Sequence, residues 1–204
     1  MNKEEKLNMS AVFNDYKSYV PVMHNYKQTP KILRIAFIGT QGSGKTTAVY
    51  SLAAGLKTLG IHVKIISEAA ENCPYEINKN STSESQEWMI VSQITNELTA
   101  LATFPKGVII CDRTPFDSLV YSRYNNLILD DSLTQYALNY MKRYDIIFYQ
   151  DSKGGHLDDN GIRSTDKKFQ TAIERRFELM LHTYGIRVVQ SKKPLQEVLH
   201  RWNK

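Results

Sequence analysis

The run Gly39-Thr-Gln-Gly-Ser-Gly-Lys-Thr46 carries the clearest chemistry in this chain, because it fits G-x-x-x-x-G-K-[ST] without a mismatch. Gly39, Gly42 and Gly44 let the backbone curl so that several N–H groups point inward, and a helix starting at the end of the run adds its partial positive charge. Such a crowd of donors needs phosphate oxygens as partners. Gln41, Ser43 and Thr47 complete the expected cofactor-binding run. Lys45 is expected to reach the β- and γ-phosphates of ATP, and the Thr46 hydroxyl to take a place on Mg²⁺.

Two carboxylates are spaced to join that site. The apolar run Val108-Ile-Ile-Cys ends in Asp112, followed by Arg113. A strand-end Asp can organise Mg²⁺ through a bound water, or take a proton from an acceptor hydroxyl. It can also cap the helix that Pro115 opens. A second apolar run ends in Ile66-Ser67-Glu68. The carboxyl ends of parallel strands form the ligand crevice of an open sheet, so Glu68, Asp112 and the phosphate loop converge at one edge. Glu68 then binds or deprotonates a substrate hydroxyl, or is merely an exposed carboxylate at a helix start. Tyr75, after Pro74, is able to stack on a base or nicotinamide-like ring, or to close a loop. The five histidines and two cysteines show no metal-ligand spacing, which argues against a zinc site.

These residues need a scaffold, and the pattern of apolar runs supplies one. Short apolar runs over 32–38, 61–67, 107–111, 145–149 and 186–190 read as strands. Helical stretches fall over 44–59, 84–103, 115–143 (one or two helices), 166–183 and 194–202, with Gly60 closing the first and Thr82 or Ser83 opening the second. Residues 72–82 and 151–165 are loops. Alternating strands and helices predict an α/β fold: a parallel sheet with helices on both faces and right-handed crossovers. Residues 1–30 are polar and Tyr-rich, interrupted by Pro21 and Pro30. They read as an N-terminal extension, either a helix packed on the domain or an arm for a partner subunit or nucleic acid. The folded domain is expected over 31–204.

Composition bounds the rest. The chain has 204 residues, 42% hydrophobic and 23% charged, which suits one globular domain plus a tail. Two cysteines, Cys73 and Cys111, cannot build a disulfide framework, and no apolar run is long enough to cross a membrane. The N-terminus has no apolar segment of signal type. A cytoplasmic protein without membrane contact is expected. The net charge of +5 is uneven: residues 151–204 hold 11 basic and 7 acidic side chains, against 11 and 11 over 31–150. The surplus therefore sits around the loop and helix after the fourth strand, where it complements ATP's own phosphates.

The combination of motifs resembles the phosphate-loop kinases of the nucleoside and nucleotide kinase group. It is similar above all to the branch that holds the riboside-kinase domain of nicotinamide-nucleotide regulators and many phage-encoded relatives. The resemblance covers about residues 31–200 and is carried by residues 35–47, Ser67-Glu-Ala-Ala70 with Cys73-Pro-Tyr75, Cys111-Asp-Arg113 and Asp159-Asn-Gly-Ile-Arg-Ser164. It implies a three-layer fold on a five-stranded parallel sheet in the order 2-3-1-4-5, ATP and Mg²⁺ as cofactors, and a lid over about 151–168. Arg163 of that lid would stabilise charge on the transferring phosphoryl group, with Lys167 and Lys168 nearby. Asp112-Arg113 resembles the element that works on metal or hydroxyl and on substrate or phosphate. Glu68 resembles the strand-end base of deoxynucleoside kinases, although Ala69 stands where those enzymes have proline. The base is thus Glu68 or Asp112.

The resulting expectation is an ATP-dependent kinase with an alcohol acceptor on a nucleoside-like molecule. A second reading keeps the chemistry and makes the acceptor a hydroxymethylated base in phage DNA, which requires a flipped base or a single strand. A third, of another class, is a nucleotide-binding ATPase switch. Against it, Asn78-Lys-Asn-Ser81 is not the guanine-reading Asn-Lys-x-Asp, no Leu-Ser-Gly-Gly signature exists, and the chain lacks the helical second domain of a remodelling ATPase. A homo-oligomer is compatible with all three.

Overall fold

Strand β1, Ile32–Ile38, is the axis of the molecule in the computed structural model, which describes residues 31–152 and 166–204. The extension over 1–30 and most of the expected lid, Arg163 included, lie outside the described residues. Six of the seven β1 residues are buried, as a central strand covered on both faces requires. Helix α1 (Lys45–Thr58) follows, then β2 (Val63–Ile66), α2 (Ser83–Thr103), β3 (Gly107–Asp112), α3 (Pro115–Tyr124), α4 (Asp131–Tyr140), β4 (Ile146–Tyr149), α5 (Lys167–Thr183) and α6 (Pro194–Trp202). The strands pair in parallel in the order β2-β3-β1-β4.

The side chains of β1 alternate between two cores, as the two-residue period of a strand dictates. Leu33, Ile35 and Phe37 face α1 and α6, where they meet Val49, Leu52, Leu56 and Val198. Ala36 and Ile38 face the other layer, built by Ile90 and Ile94 of α2, Phe116 and Val120 of α3, and Ile173 and Phe177 of α5. The three-layer α/β architecture is therefore as expected. Among the described residues, no helix is long and apolar enough to cross a membrane.

The fifth strand departs from expectation. Segment 186–190 keeps one parallel bridge, Phe148↔Val189, closed by Tyr149 N–H to Val189 O at 3.0 Å and Val189 N–H to Ile147 O at 2.8 Å. It sits where the order 2-3-1-4-5 puts it, but the described sheet has four strands. The segment is short, has no strand beyond it among the described residues, and has exposed Arg187 and Gln190 flanking half-buried Val188 and Val189. Little apolar surface is left to hold more of the ladder.

Local chemistry accounts for the helix starts near the site. Thr82 caps α2 in a capping box, with Ser85 N–H donating to Thr82 Oγ1 at 3.2 Å and Thr82 N–H to Ser85 Oγ at 3.0 Å. Thr114 and Asp117 form the equivalent box on α3, with Pro115 in the first turn. Two short 3₁₀ turns, Ala69–Asn72 and Asn78–Asn80, break the expected 72–82 loop into a structured wall beside the sheet edge.

Candidate active site

The phosphate loop leaves β1 at Ile38 and enters α1 at Lys45. Gly39 has φ 139°, and a Cβ there would lie 2.3 Å from the Gln150 carbonyl oxygen at the end of β4, so only glycine fits. Gly44, the residue before α1, has φ 82° and no side chain with which to cap the helix. The first turn of α1 also contains no acidic residue. Its amides and its positive end are thereby left for an anion. Gly42 has φ 68°, completing the curl. Thr47 is exposed in the first turn of α1, whereas Gln41 and Ser43 are buried in the loop.

Lys45 folds back over this loop, its Nζ donating to Thr40 O at 2.6 Å and to Ser43 Oγ at 3.3 Å. Burial, and then the neighbouring charge of Arg113, push its pKa down to about 7, against the pull of Glu68, Asp117 and Asp112. An anion brought to the loop would reverse that balance.

Thr46 Oγ1 donates to Asp112 Oδ2 at 2.6 Å. The β1–β3 register sets Asp112 level with Phe37, two residues before the loop begins. The other carboxylate oxygen, Asp112 Oδ1, is buried and has no hydrogen-bond partner. A buried carboxylate oxygen without a donor is costly unless a cation or a cation-bound water is its partner. The pair therefore fits Mg²⁺, which takes one or two protein oxygens and completes its octahedron with water and phosphate oxygens. Among the described residues, no group of three or more His, Cys, Asp or Glu could hold a metal ion.

Arg113 organises the other half of the site. Its φ is 79°, a left-handed conformation that costs a non-glycine residue about 1–2 kcal/mol. Its N–H extends the ladder to Phe37 O at 2.9 Å. The guanidinium donates from Nε to Glu68 Oε1 at 2.5 Å and from Nη1 to both Gly39 O and Asp117 Oδ1 at 3.3 Å. It also stands 5.6 Å from the centre of the Tyr121 ring. Burial opposes its charge, but Glu68, Tyr121, Asp117 and Asp112 outweigh that and hold the guanidinium firmly protonated. Burial raises the Asp117 carboxyl, with Arg113 and Lys45 pulling it back.

Beside Arg113 a cleft opens, spanning about 560 Å³ with the open solvent at its mouth included. Glu68 and Arg113 at the strand ends, Tyr121 of α3, Gln86 and Met89 of α2, and Ile77 line it. Gln86 is buried, and its Oε1 has no partner. The cleft thus combines an apolar, ring-sized wall with one unclaimed amide acceptor and one ion pair, which is the usual make-up of a small-molecule site. Tyr75 is 47% exposed on the segment beyond it and does not line it.

The expected residues Glu68, Asp112, Arg113, Lys45 and Thr46 are therefore brought together at one sheet edge. Sequence reasoning missed Gln86, Asp117 and Tyr121. The Asp117 carboxylate has a local signal, because it stands three residues after Thr114 in capping-box spacing. Tyr121 donates its hydroxyl to Gln41 Oε1 at 2.6 Å, and Gln170 Nε2 of α5 donates to Gln41 O at 2.8 Å. These ties hold the loop to α3 and α5 and have no sequence-local signature.

A glycine-curled loop between a central parallel strand and a helix, with a Thr–Asp pair at its base, defines a phosphate-loop nucleotide-binding protein. More closely, the chain belongs to the family described as AAA domain, whose profile matches residues 34–197. No curated protein matches the sequence. Among solved structures, the thymidylate kinase of Ehrlichia chaffeensis is 21% identical with a TM-score of 0.55, over 79% of this chain and 87% of that one. The deoxyadenosine kinase of M. mycoides with bound dATP is 19% identical with a TM-score of 0.53, over 84% of this chain and 100% of that one. A NadR protein in complex with NR is 16% identical with a TM-score of 0.56, over 78% of this chain and 45% of that one. At these identities the likeness establishes the fold, and the fold is that of the phosphate-loop kinases anticipated from the motifs.

Proposed function

We propose that this protein is an ATP- and Mg²⁺-dependent kinase that transfers the γ-phosphoryl group to a hydroxyl of a nucleoside-like acceptor. The observation that carries this reading is the position of the Glu68–Arg113 pair. It lines a cleft that opens to solvent, and Arg113 of the same pair also touches the phosphate loop at Gly39. A switch that only hydrolyses its nucleotide has no use for a second, ring-sized cleft opening on the transfer site. The kinase structures of the same fold support the reading.

The roles divide as follows. The loop amides and Lys45 bind and orient the nucleotide phosphates, and Thr46 with Asp112 holds the ion. Mg²⁺, when bound with ATP, neutralises charge on the phosphates. Gln86 and Tyr121 hold the acceptor ring in place. Asp112 is assigned to the ion and does not line the cleft, whereas Glu68 does, so Glu68 is assigned as the base. It accepts the acceptor hydroxyl's proton while the acceptor oxygen bonds to the γ-phosphorus and the bond from that phosphorus to ADP's oxygen breaks. Arg113 orients Glu68 and adds positive charge beside the transferring group.

The test is transfer of labelled γ-phosphate from ATP to a panel of nucleosides, nucleotides and nicotinamide riboside, with hydroxymethyl-bearing single-stranded and duplex DNA as a further arm. Acceptor-stimulated transfer to a small molecule is expected. Labelling of DNA alone would move the acceptor to a polymer, and turnover indifferent to every acceptor would reject a kinase.

A further inference from the structure

Behind Arg113, farther along α2 from the cleft, lies a buried polar network whose side chains do not line that cleft. Gln93 and Glu97 stand one turn apart on α2, and both are almost wholly buried. Gln93 Nε2 donates to the Arg113 carbonyl at 3.3 Å and to Glu97 Oε1 at 2.9 Å. Glu97 Oε1 also accepts from Tyr144 OH at 2.6 Å, and Glu97 Oε2 accepts from Arg34 Nη2 of β1 at 2.7 Å. Arg34 lies against the rings of Tyr140 and Tyr144, at 5.0 and 5.1 Å from their centres. Its own N–H donates to Asp145 Oδ2 at 2.9 Å.

Apolar side chains of similar size would fill this layer as well, and a buried ion pair is weak support for stability. The network does, however, end on one particular atom: the carbonyl of a residue held in a left-handed conformation. An arginine at φ 79° stays there only if its surroundings over-determine it. Its N–H is fixed by Phe37 on one side, and its carbonyl by Gln93 on the other. The Gln93 amide is in turn locked by Glu97, which is locked by Arg34 and Tyr144.

We propose that Gln93, braced by Glu97, is a positioning residue: it holds the Arg113 backbone in the conformation that aims the guanidinium at Glu68 and the phosphate loop. The consequence for turnover rests on the kinase reading above; the effect on Arg113 itself does not.

The decisive variant is Gln93→Met, which keeps the size of the side chain and removes both hydrogen bonds; Gln93→Asn, too short to reach both partners, replaces it if the methionine variant does not fold. The first readout needs no activity. In ¹⁵N-labelled protein the Arg113 Nε–H, assigned by its loss in Arg113→Lys, should be protected from solvent exchange by Glu68. Gln93→Met should broaden it or speed its exchange at least tenfold, while Lys45→Ala leaves it in place. An unchanged Arg113 Nε–H in folded Gln93→Met overturns the proposal. The second readout is kinetic: the variant should lose ~10- to 100-fold in kcat with KM for ATP nearly unchanged, as displacement of an orienting group by about 1 Å costs. The loss should vanish in an Arg113→Ala background, because Gln93 would act through that side chain. An additive loss in that background also overturns it. If the wild-type protein transfers no phosphate at all, the kinase reading fails and the exchange measurement still decides the role of Gln93.

Discussion

Thr46 Oγ1 and Asp112 Oδ2 meet at 2.6 Å, joining the first turn of α1 to the last residue of β3 across 66 positions of sequence. The contact uses one oxygen of Asp112 and leaves the other buried without a donor. That is poor design for stability and good design for holding a cation.

Asp112→Asn should separate these two qualities. The amide keeps the shape and still accepts from Thr46, but the charge is gone. The Mg²⁺ concentration for half-maximal turnover should rise ~10- to 100-fold, as loss of a metal-holding group does. Thermal stability should stay the same or rise, because a buried anion has been neutralised. A Mg²⁺ titration beside a melting curve checks both, and an unchanged Mg²⁺ dependence rejects the pair as the ion's site.

Lys45 has its pKa lowered to about 7, so at pH 8 its amine is mostly neutral in the free protein. Phosphate oxygens favour the ammonium. Binding of ATP at pH 8 should therefore take up close to one proton, and the uptake should disappear below about pH 6, where Lys45 is already charged. Affinity should fall as pH rises past 7, by up to about tenfold per unit. Calorimetry in two buffers of different ionisation heat measures the proton count, with Lys45→Met as the variant expected to show none.

Gly39→Ala and Gly60→Ala form a matched pair. Both glycines have positive φ, at 139° and 74°, but only Gly39 has an obstacle, the Gln150 oxygen 2.3 Å from the would-be Cβ. Gly60→Ala should cost about 1 kcal/mol from backbone strain alone. Gly39→Ala should cost about 2–4 kcal/mol, since β1 and β4 must separate, and should abolish nucleotide binding. Urea denaturation gives the difference, and equal costs would mean the loop does not press on β4 as described.

Gln86→Leu should act on the acceptor side only. It removes the unpartnered Oε1 at nearly constant volume. KM for an acceptor bearing a ring N–H or amino group should rise ~10- to 100-fold, with KM for ATP unchanged, because the acceptor's donor is then left unpaired. Steady-state kinetics with each substrate varied in turn distinguishes the two; a change in KM for ATP alone would place Gln86 elsewhere in the cycle.

Much of this was readable along the chain. The loop from Gly39 to Thr46, the strands leading to Glu68 and Asp112, and the helix starts at Thr82 and Pro115 all follow from local rules: glycine for positive φ, hydroxyl and carboxylate side chains for caps, apolar runs for buried strands. The fifth strand was legible in place but not in extent. An edge segment with exposed Arg187 and Gln190 keeps only the pairing its neighbour can impose, and no residue-level preference records how much that is.

Local preference along the chain thus shapes the phosphate loop, because glycines at positive φ and a helix entered without a side-chain cap are set by neighbouring residues. The partners reached across the sheet had to wait for the folded molecule. Arg113 meets Glu68, 45 residues away, and Gln93 meets the Arg113 carbonyl from behind. Gln86 reaches the cleft because α2 crosses that face of the sheet. Such pairings are set by how helices pack over strands, by the twist and register of β1 against β3, and by which buried polar atoms then need one another. Sequence spacing carries no record of those distances.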